Sequence, residues 1–165
     1  MECRAFDVIM KEFPERRALS KYAAKRLPCE IKGHMQILAG QEIYMDCIFE
    51  NDDGGYLYAN RDDADMFVLV ASSGQGDEWL LKLSDNTIWF LDHGEWEEAD
   101  GIQPLEICFK QFVVMADLLR QFEIKYPSPA LKESGELLKI QLRSIKENLV
   151  WNYPFACADG WLDDM

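Results

Sequence analysis

Three short runs of aliphatic, β-branched and aromatic residues, bounded by turn formers, most constrain how this chain folds. They are residues 66–71 (Met-Phe-Val-Leu-Val-Ala), 78–83 (Glu-Trp-Leu-Leu-Lys-Leu) and 87–91 (Thr-Ile-Trp-Phe-Leu). The separators are Ser72-Ser73-Gly74-Gln75-Gly76-Asp77 and Ser84-Asp85-Asn86. Short apolar runs divided by such residues are strand and hairpin signals, and they predict an antiparallel meander. A further strand is expected within residues 42–49, before the turn Asn51-Asp52-Asp53-Gly54-Gly55, with residues 56–58 pairing nearby.

The flanks carry a helical period instead. Phe6, Ile9, Met10 and Phe13 form an i, i+3, i+4, i+7 stripe stopped by Pro14. Residues 14–27 are compatible with a second helix, and Pro28 with the start of a third. From 107 to 122, Phe109, Phe112, Val113, Ala116 and Leu119 repeat at helical spacing. Met115, Leu118 and Phe122 widen that stripe enough to pack across a sheet. Ser128-Pro129 reads as an N-cap followed by a proline at the first helical position. Leu131, Leu138, Leu142, Ile145 and Leu149 then mark one face of a last helix. The expected fold is α+β: an antiparallel β-sheet meander flanked by helices, over residues 1–123. Tyr126-Pro127-Ser128-Pro129 is the candidate linker to a C-terminal helical extension over 124–165, packed on the same domain.

A chain of 165 residues suits one domain and can bury roughly 70% of its unfolded surface. Its 48% hydrophobic content separates it from disordered acidic tails. The longest apolar runs fall far short of the roughly 20 residues a membrane helix needs. No basic region followed by an apolar run opens the sequence, so a cytoplasmic location is expected. The five cysteines Cys3, Cys29, Cys47, Cys108 and Cys157 are widely spaced without a C-x-x-C pair, which favours reduced thiols over a disulfide framework or a structural zinc site.

Charge is segregated. Residues 1–40 carry a net +3, residues 41–100 a net −14 and residues 101–165 a net −2, so the middle holds all the excess of the −13 total. That balance argues against direct nucleic-acid binding, which needs a basic patch to release counterions, and against an anionic membrane surface.

Little in the middle segment points to catalysis. The loop over 72–77 contains glycine but lacks the Lys-Ser/Thr of a phosphate-binding loop and joins strand to strand, so a tight turn fixed by Asp77 is the expected reading. Asp92, His93 and Glu95 lie close enough to raise metal ligation or acid–base chemistry. Only His34 accompanies His93, however, and no H-E-x-x-H spacing occurs, so a strand-end turn with satisfied polar groups is expected, with no metal and no cofactor. No G-x-S-x-G elbow is present, and carboxylate pairs such as Asp62-Asp63 and Glu97-Glu98 read as solvated.

The acidic surface itself remains. A charge run commonly serves solubility. Here Trp96 lies inside the run Glu95-Trp96-Glu97-Glu98, and Tyr56 and Tyr58 follow Asp52-Asp53. Rings act as anchors, and carboxylates steer and pair with arginine or lysine, which suits a basic protein partner. The candidate contact residues are Asp52, Asp53, Tyr56, Asp62, Asp63, Asp65, Glu95, Trp96, Glu97 and Glu98.

The order of motifs resembles the SUKH superfamily. Phe67-Val68-Leu69-Val70-Ala71 is followed by Gly76-Asp77-Glu78-Trp79-Leu80-Leu81-Lys82-Leu83, then Ile88-Trp89-Phe90-Leu91-Asp92-His93, then Ile107-Cys108-Phe109-Lys110-Gln111-Phe112-Val113. The match covers about residues 27–123, with Leu27-Pro28 at the family's early Leu-Pro. The resemblance implies the same α+β fold, with Gly76, Asp77, Asp92, Phe109 and Phe112 as structural motif residues. It also implies an immunity protein that binds and blocks a cognate bacterial toxin domain, often a nuclease or other nucleic-acid-modifying enzyme. Separately from the resemblance, a monomer or weak dimer is expected. Some relatives are instead regulatory hubs, which leaves a scaffold role as the alternative.

Overall fold

The computed structural model describes residues 2–98, 101–126 and 132–154, the side chains of 132–134 apart. Its centre is a six-stranded antiparallel sheet in sequential order. The strands are β1 (Glu42–Tyr44), β2 (Cys47–Phe49), β3 (Phe67–Ser72), β4 (Glu78–Lys82), β5 (Thr87–Leu91) and β6 (Ile102–Cys108). The helices are α1 (Phe6–Met10), α2 (Lys21–Arg26), α3 (Cys29–Leu38), α4 (Phe109–Lys125), α5 (Lys132–Ile145) and α6 (Leu149–Asn152). The α+β meander flanked by helices is therefore the observed fold.

The central strands are buried on both sides, and alternation decides which side chain meets which layer. Val68, Val70, Trp79, Leu81, Ile88 and Phe90 join the main core with α3, α4 and the C-terminal helices. Trp79 packs its ring 4.8 Å from Phe90 and 5.3 Å from Phe112 of α4. Phe67, Leu69, Leu80 and Leu91 face the other way, into a smaller core closed by Tyr58 and flanked by Tyr56, Leu57, Ala64, Trp89, Trp96 and Ile102. Double-sided burial explains why these strands read as nearly continuous apolar runs.

Several local expectations change in the structure. Residues 42–49 form two strands, because Met45 and Asp46 make a tight turn between Tyr44 and Cys47, whose Asp46 carbonyl accepts the Trp79 indole N–H at 2.6 Å. Residues 14–20 are not helical. Only Lys21–Arg26 is, starting where the Ser20 hydroxyl accepts the Ala23 amide at 2.9 Å. Residues 56–58 do not pair with a strand; they lead into a 3-10 turn, Leu57–Asn60. Ile107 and Cys108 belong to β6, a strand masked in the sequence by Pro104 and by a bulge at Glu106, where φ is +58°. Helix α4 then begins at Phe109 and is capped by Gln111, whose side-chain oxygen accepts the Cys108 amide at 3.0 Å.

The single last helix expected to carry both Ile145 and Leu149 is two: α5 ends at Ile145 and α6 starts at Leu149. The pair joins the main core through Leu138, Leu142, Leu149, Val150 and Tyr153. Asn152 donates to the Leu105 carbonyl on the outer side of β6 at 3.5 Å. Ser128, Pro129 and Leu131 lie outside the described residues.

The N-terminal segment is tied down by a charge network on α4. Asp117 is fully buried and receives Arg4 Nε at 2.8 Å, Arg4 Nη2, Arg120 Nη2 at 2.6 Å and Gln121 Nε2 at 2.9 Å. Burial alone would raise the Asp117 carboxyl, but the hydrogen bonds from Arg4, Gln121 and Arg120 outweigh it and hold the group below the ordinary carboxylate range. Asp117→Asn removes the charge that both guanidiniums require. The expected cost is about 3 kcal/mol, at the low end for breaking a buried pair because both arginines keep contact with water. Urea denaturation at neutral pH measures it. Because the folded value is lowered, this stabilisation is present above the unfolded value of about 3.9 and is lost as pH falls through the folded one.

Candidate partner-binding site

The acidic residues reach the surface through the thin layer that covers the smaller core. That layer consists of residues 50–66, including the 3-10 turns Leu57–Asn60 and Ala64–Met66, and of the loop after β5. Neither piece has the length to hold itself in place, and buried carboxylates fix it to the sheet. Glu78 of β4, 2% exposed, accepts the amides of Leu57 at 2.6 Å and Tyr58 at 2.9 Å. Its burial pushes the carboxyl above its ordinary value.

Asp52 is likewise internal. The pairing of β2 with β3 ends at Phe49, which leaves the first half of β3 paired with β4 on one side and without a strand on the β2 side. There Asp52 accepts the Leu69 amide at 2.9 Å and the Tyr58 hydroxyl at 2.6 Å, replacing the missing ladder partner. This corrects the sequence expectation: Asp52 is completely buried and cannot face a partner.

Arg61 joins the two acidic runs. It is the one basic residue between 41 and 81, and its side chain is only 11% exposed. Its Nε donates to Asp63 at 2.9 Å, while Nη1 donates to the carbonyls of Trp96 at 2.6 Å and Glu98 at 3.0 Å. Residues more than thirty apart in sequence thereby line one cleft of about 420 Å³, formed by Asn60, Arg61, Asp62, Asp63, Trp96 and Glu97. A neighbouring hollow is lined by Gly94 and residues 95–98. Trp96 is half-buried, with part of its ring on the smaller core and part in the cleft. Asp62, Glu95, Glu97 and Glu98 are exposed.

The remaining candidates lie elsewhere. Asp65 is exposed and sits 3.3 Å from Arg26. Asp53 is exposed, and its carboxylate accepts the Gly55 amide at 3.0 Å. Tyr56 lines a separate hollow with Gly55, Leu57, Ser72, Ser73, Gly76 and Glu78, and donates its hydroxyl to Glu50 at 3.1 Å. Burial and the Glu50 carboxylate push that phenol up to about 12.

The motif residues occupy structural positions. Phe109 and Phe112 are core residues of α4. Gly76 adopts φ +102°, a conformation that favours glycine. Asp77 is 3% exposed and ties two turns together. It accepts the Ser73 hydroxyl at 2.8 Å, the His93 amide at 3.1 Å and the His93 ring Nδ1 at 2.7 Å. Asp77 was expected to fix only its own turn; the β4–β5 register, which pairs Glu78 with Leu91, brings it opposite Asp92 and His93. Asp92 donates its amide to the Gly101 carbonyl at 2.9 Å and accepts the Gly94 amide at 2.7 Å.

No family model, curated protein or solved structure matches the chain. Among the described residues, no helix is long and apolar enough to cross a membrane.

Replacing Arg61 with Met leaves the Trp96 and Glu98 carbonyls and Asp63 without their donor. The expected loss is roughly 1–3 kcal/mol in urea denaturation, with amide exchange accelerated at residues 94–98 and unchanged in α4. A second prediction concerns protonation. The Asp77 hydrogen bond and charge raise the His93 pKa above its ordinary value. In an NMR titration His93 is expected to titrate above 6.5, and Asp77→Asn is expected to lower it. The stabilisation from the charged pair is fully present below the unfolded value and is lost as pH rises through the folded one.

Proposed function

We propose that this chain is a SUKH-type immunity protein that binds a cognate bacterial toxin domain and blocks it stoichiometrically. The partner inferred is a basic nuclease or other nucleic-acid-modifying domain. The role is that of a non-catalytic inhibitor acting as a monomer or weak dimer in the cytoplasm.

The single observation that carries this reading is the Arg61 clamp. It gathers Asp62, Asp63, Trp96 and Glu97 into one cleft, in the chain segment that carries the whole excess of negative charge. Each part suits a basic partner in a different way. The exposed carboxylates at 62, 95, 97 and 98 attract it at long range and so speed association. The half-buried Trp96 offers a rigid apolar surface of the kind that anchors interfaces. Asp62, unlike Asp63, is free of the Arg61 contact in the geometry above and can accept a partner arginine in bidentate fashion.

Affinity capture on the immobilised protein, with a salt gradient for elution, tests the proposal. A basic toxin-like domain held in 1:1 ratio and released only at high salt is expected. A spread of housekeeping proteins with modest affinity would favour the scaffold reading instead. With the captured domain in hand, reversing Glu95, Glu97 and Glu98 to Lys is expected to slow association by roughly ten- to a thousand-fold at low salt and to flatten its salt dependence. An unchanged rate would move the interface away from this cleft.

A further inference from the structure

Asp77, Asp92 and His93 bring one ligand atom each to within 4.8 Å of one another at the root of the loop that carries residues 95–98. Sequence spacing alone did not assemble this set, since Asp77 belongs to the preceding turn. The antiparallel register of β4 and β5 does so. Two carboxylates and one imidazole form a donor set suited to Zn²⁺. Tetrahedral coordination at about 2.1 Å places donors roughly 3.4 Å apart, so the set needs to close by little more than an ångström at its widest separation. Asp77, the inner ligand, is already held in place by Ser73, as a second residue holds a metal ligand. The His93 side chain is half exposed, and its ring Nδ1 already lies 2.7 Å from Asp77 Oδ1. The surrounding −14 segment concentrates cations.

We infer that Asp77, Asp92 and His93 form a divalent-cation site, fitted to Zn²⁺, that pins the base of the acidic loop to the β3–β4 turn. Binding replaces the proton shared by His93 Nδ1 and Asp77 with the metal ion, and that proton passes to solvent. The remaining coordination positions face water. A cation there fastens the loop at one end, as Arg61 does at the other. This site is independent of the partner reading, because it is occupied or empty in the isolated protein.

The test is equilibrium dialysis of chelator-treated protein against Zn²⁺ alone, under reducing conditions, followed by elemental analysis. One equivalent is expected to bind at pH 7.5, with its affinity falling steeply at pH 5.5 as protons compete for the imidazole. His93→Gln alters a half-exposed side chain and should leave the fold intact by circular dichroism. It is expected to weaken binding roughly ten- to a hundred-fold or more, since it removes a direct ligand. Asp92→Asn, which keeps the oxygen that accepts the Gly94 amide, is expected to weaken binding similarly even if Asp77→Asn fails to fold. On Zn²⁺ addition, the imidazole resonances of His93 should shift and those of His34 should not. Absence of binding overturns the inference. So does an equivalent of Zn²⁺ retained in His93→Gln, which would place the metal on the thiols.

Discussion

The architecture follows from one constraint: β3, β4 and β5 are apolar on both faces. A sheet of this kind cannot leave one side to water, so it needs a second cover besides the helices. Helices α3 and α4, with the C-terminal pair, supply the first cover from long amphipathic surfaces. The second is a thin layer of 3-10 turns and a loop. Such a layer gains little from its own backbone hydrogen bonds, so side chains rooted in the sheet must hold it.

Carboxylates perform most of that holding. Glu78 receives two amides of the covering segment, Asp52 completes the hydrogen bonding of β3 where β2 ends, and Asp77 ties the loop after β5 to the turn before β4. A buried carboxylate is costly unless hydrogen-bonded, and each of these is supplied with donors. The acidity of the middle segment thus has two origins. Part of it is internal and structural, and the exposed remainder, gathered beside Trp96 by Arg61, is the part able to meet a partner. Net charge counted along the chain overstates the surface charge for this reason.

The same logic operates at the far side of the molecule, where Asp117 accepts from Arg4, Arg120 and Gln121 and so docks the N-terminal segment on α4. In both places a single buried or nearly buried ion collects partners from distant segments. The position and direction of each ion then matter more than its abundance in the composition.

The central meander, most of the helix expected over 107–122 and the apolar positions Leu138, Leu142 and Ile145 of α5 were legible in the sequence, because hydrophobic period is a local property that neighbouring residues carry. The break that puts Leu149 in α6 was not. Nor were the split of residues 42–49 at Met45-Asp46 and strand β6, since a two-residue turn without glycine and a strand holding Pro104 lack those signals. The candidate site was half legible. Its acidic runs and Trp96 stood out in order, but Asp52 was misplaced on the surface, and the roles of Arg61 and of the Asp77–His93 pair were missed. A lone arginine within the acidic stretch was the available clue to the first. By itself the sequence determined which residues are apolar, which are charged and where the Gly-, Ser-, Asn- and Asp-rich turns between the central strands fall. Only the tertiary structure decided which carboxylates are internal and which converge on one cleft, because strand register and long-range side-chain hydrogen bonds bring together groups that no local spacing relates.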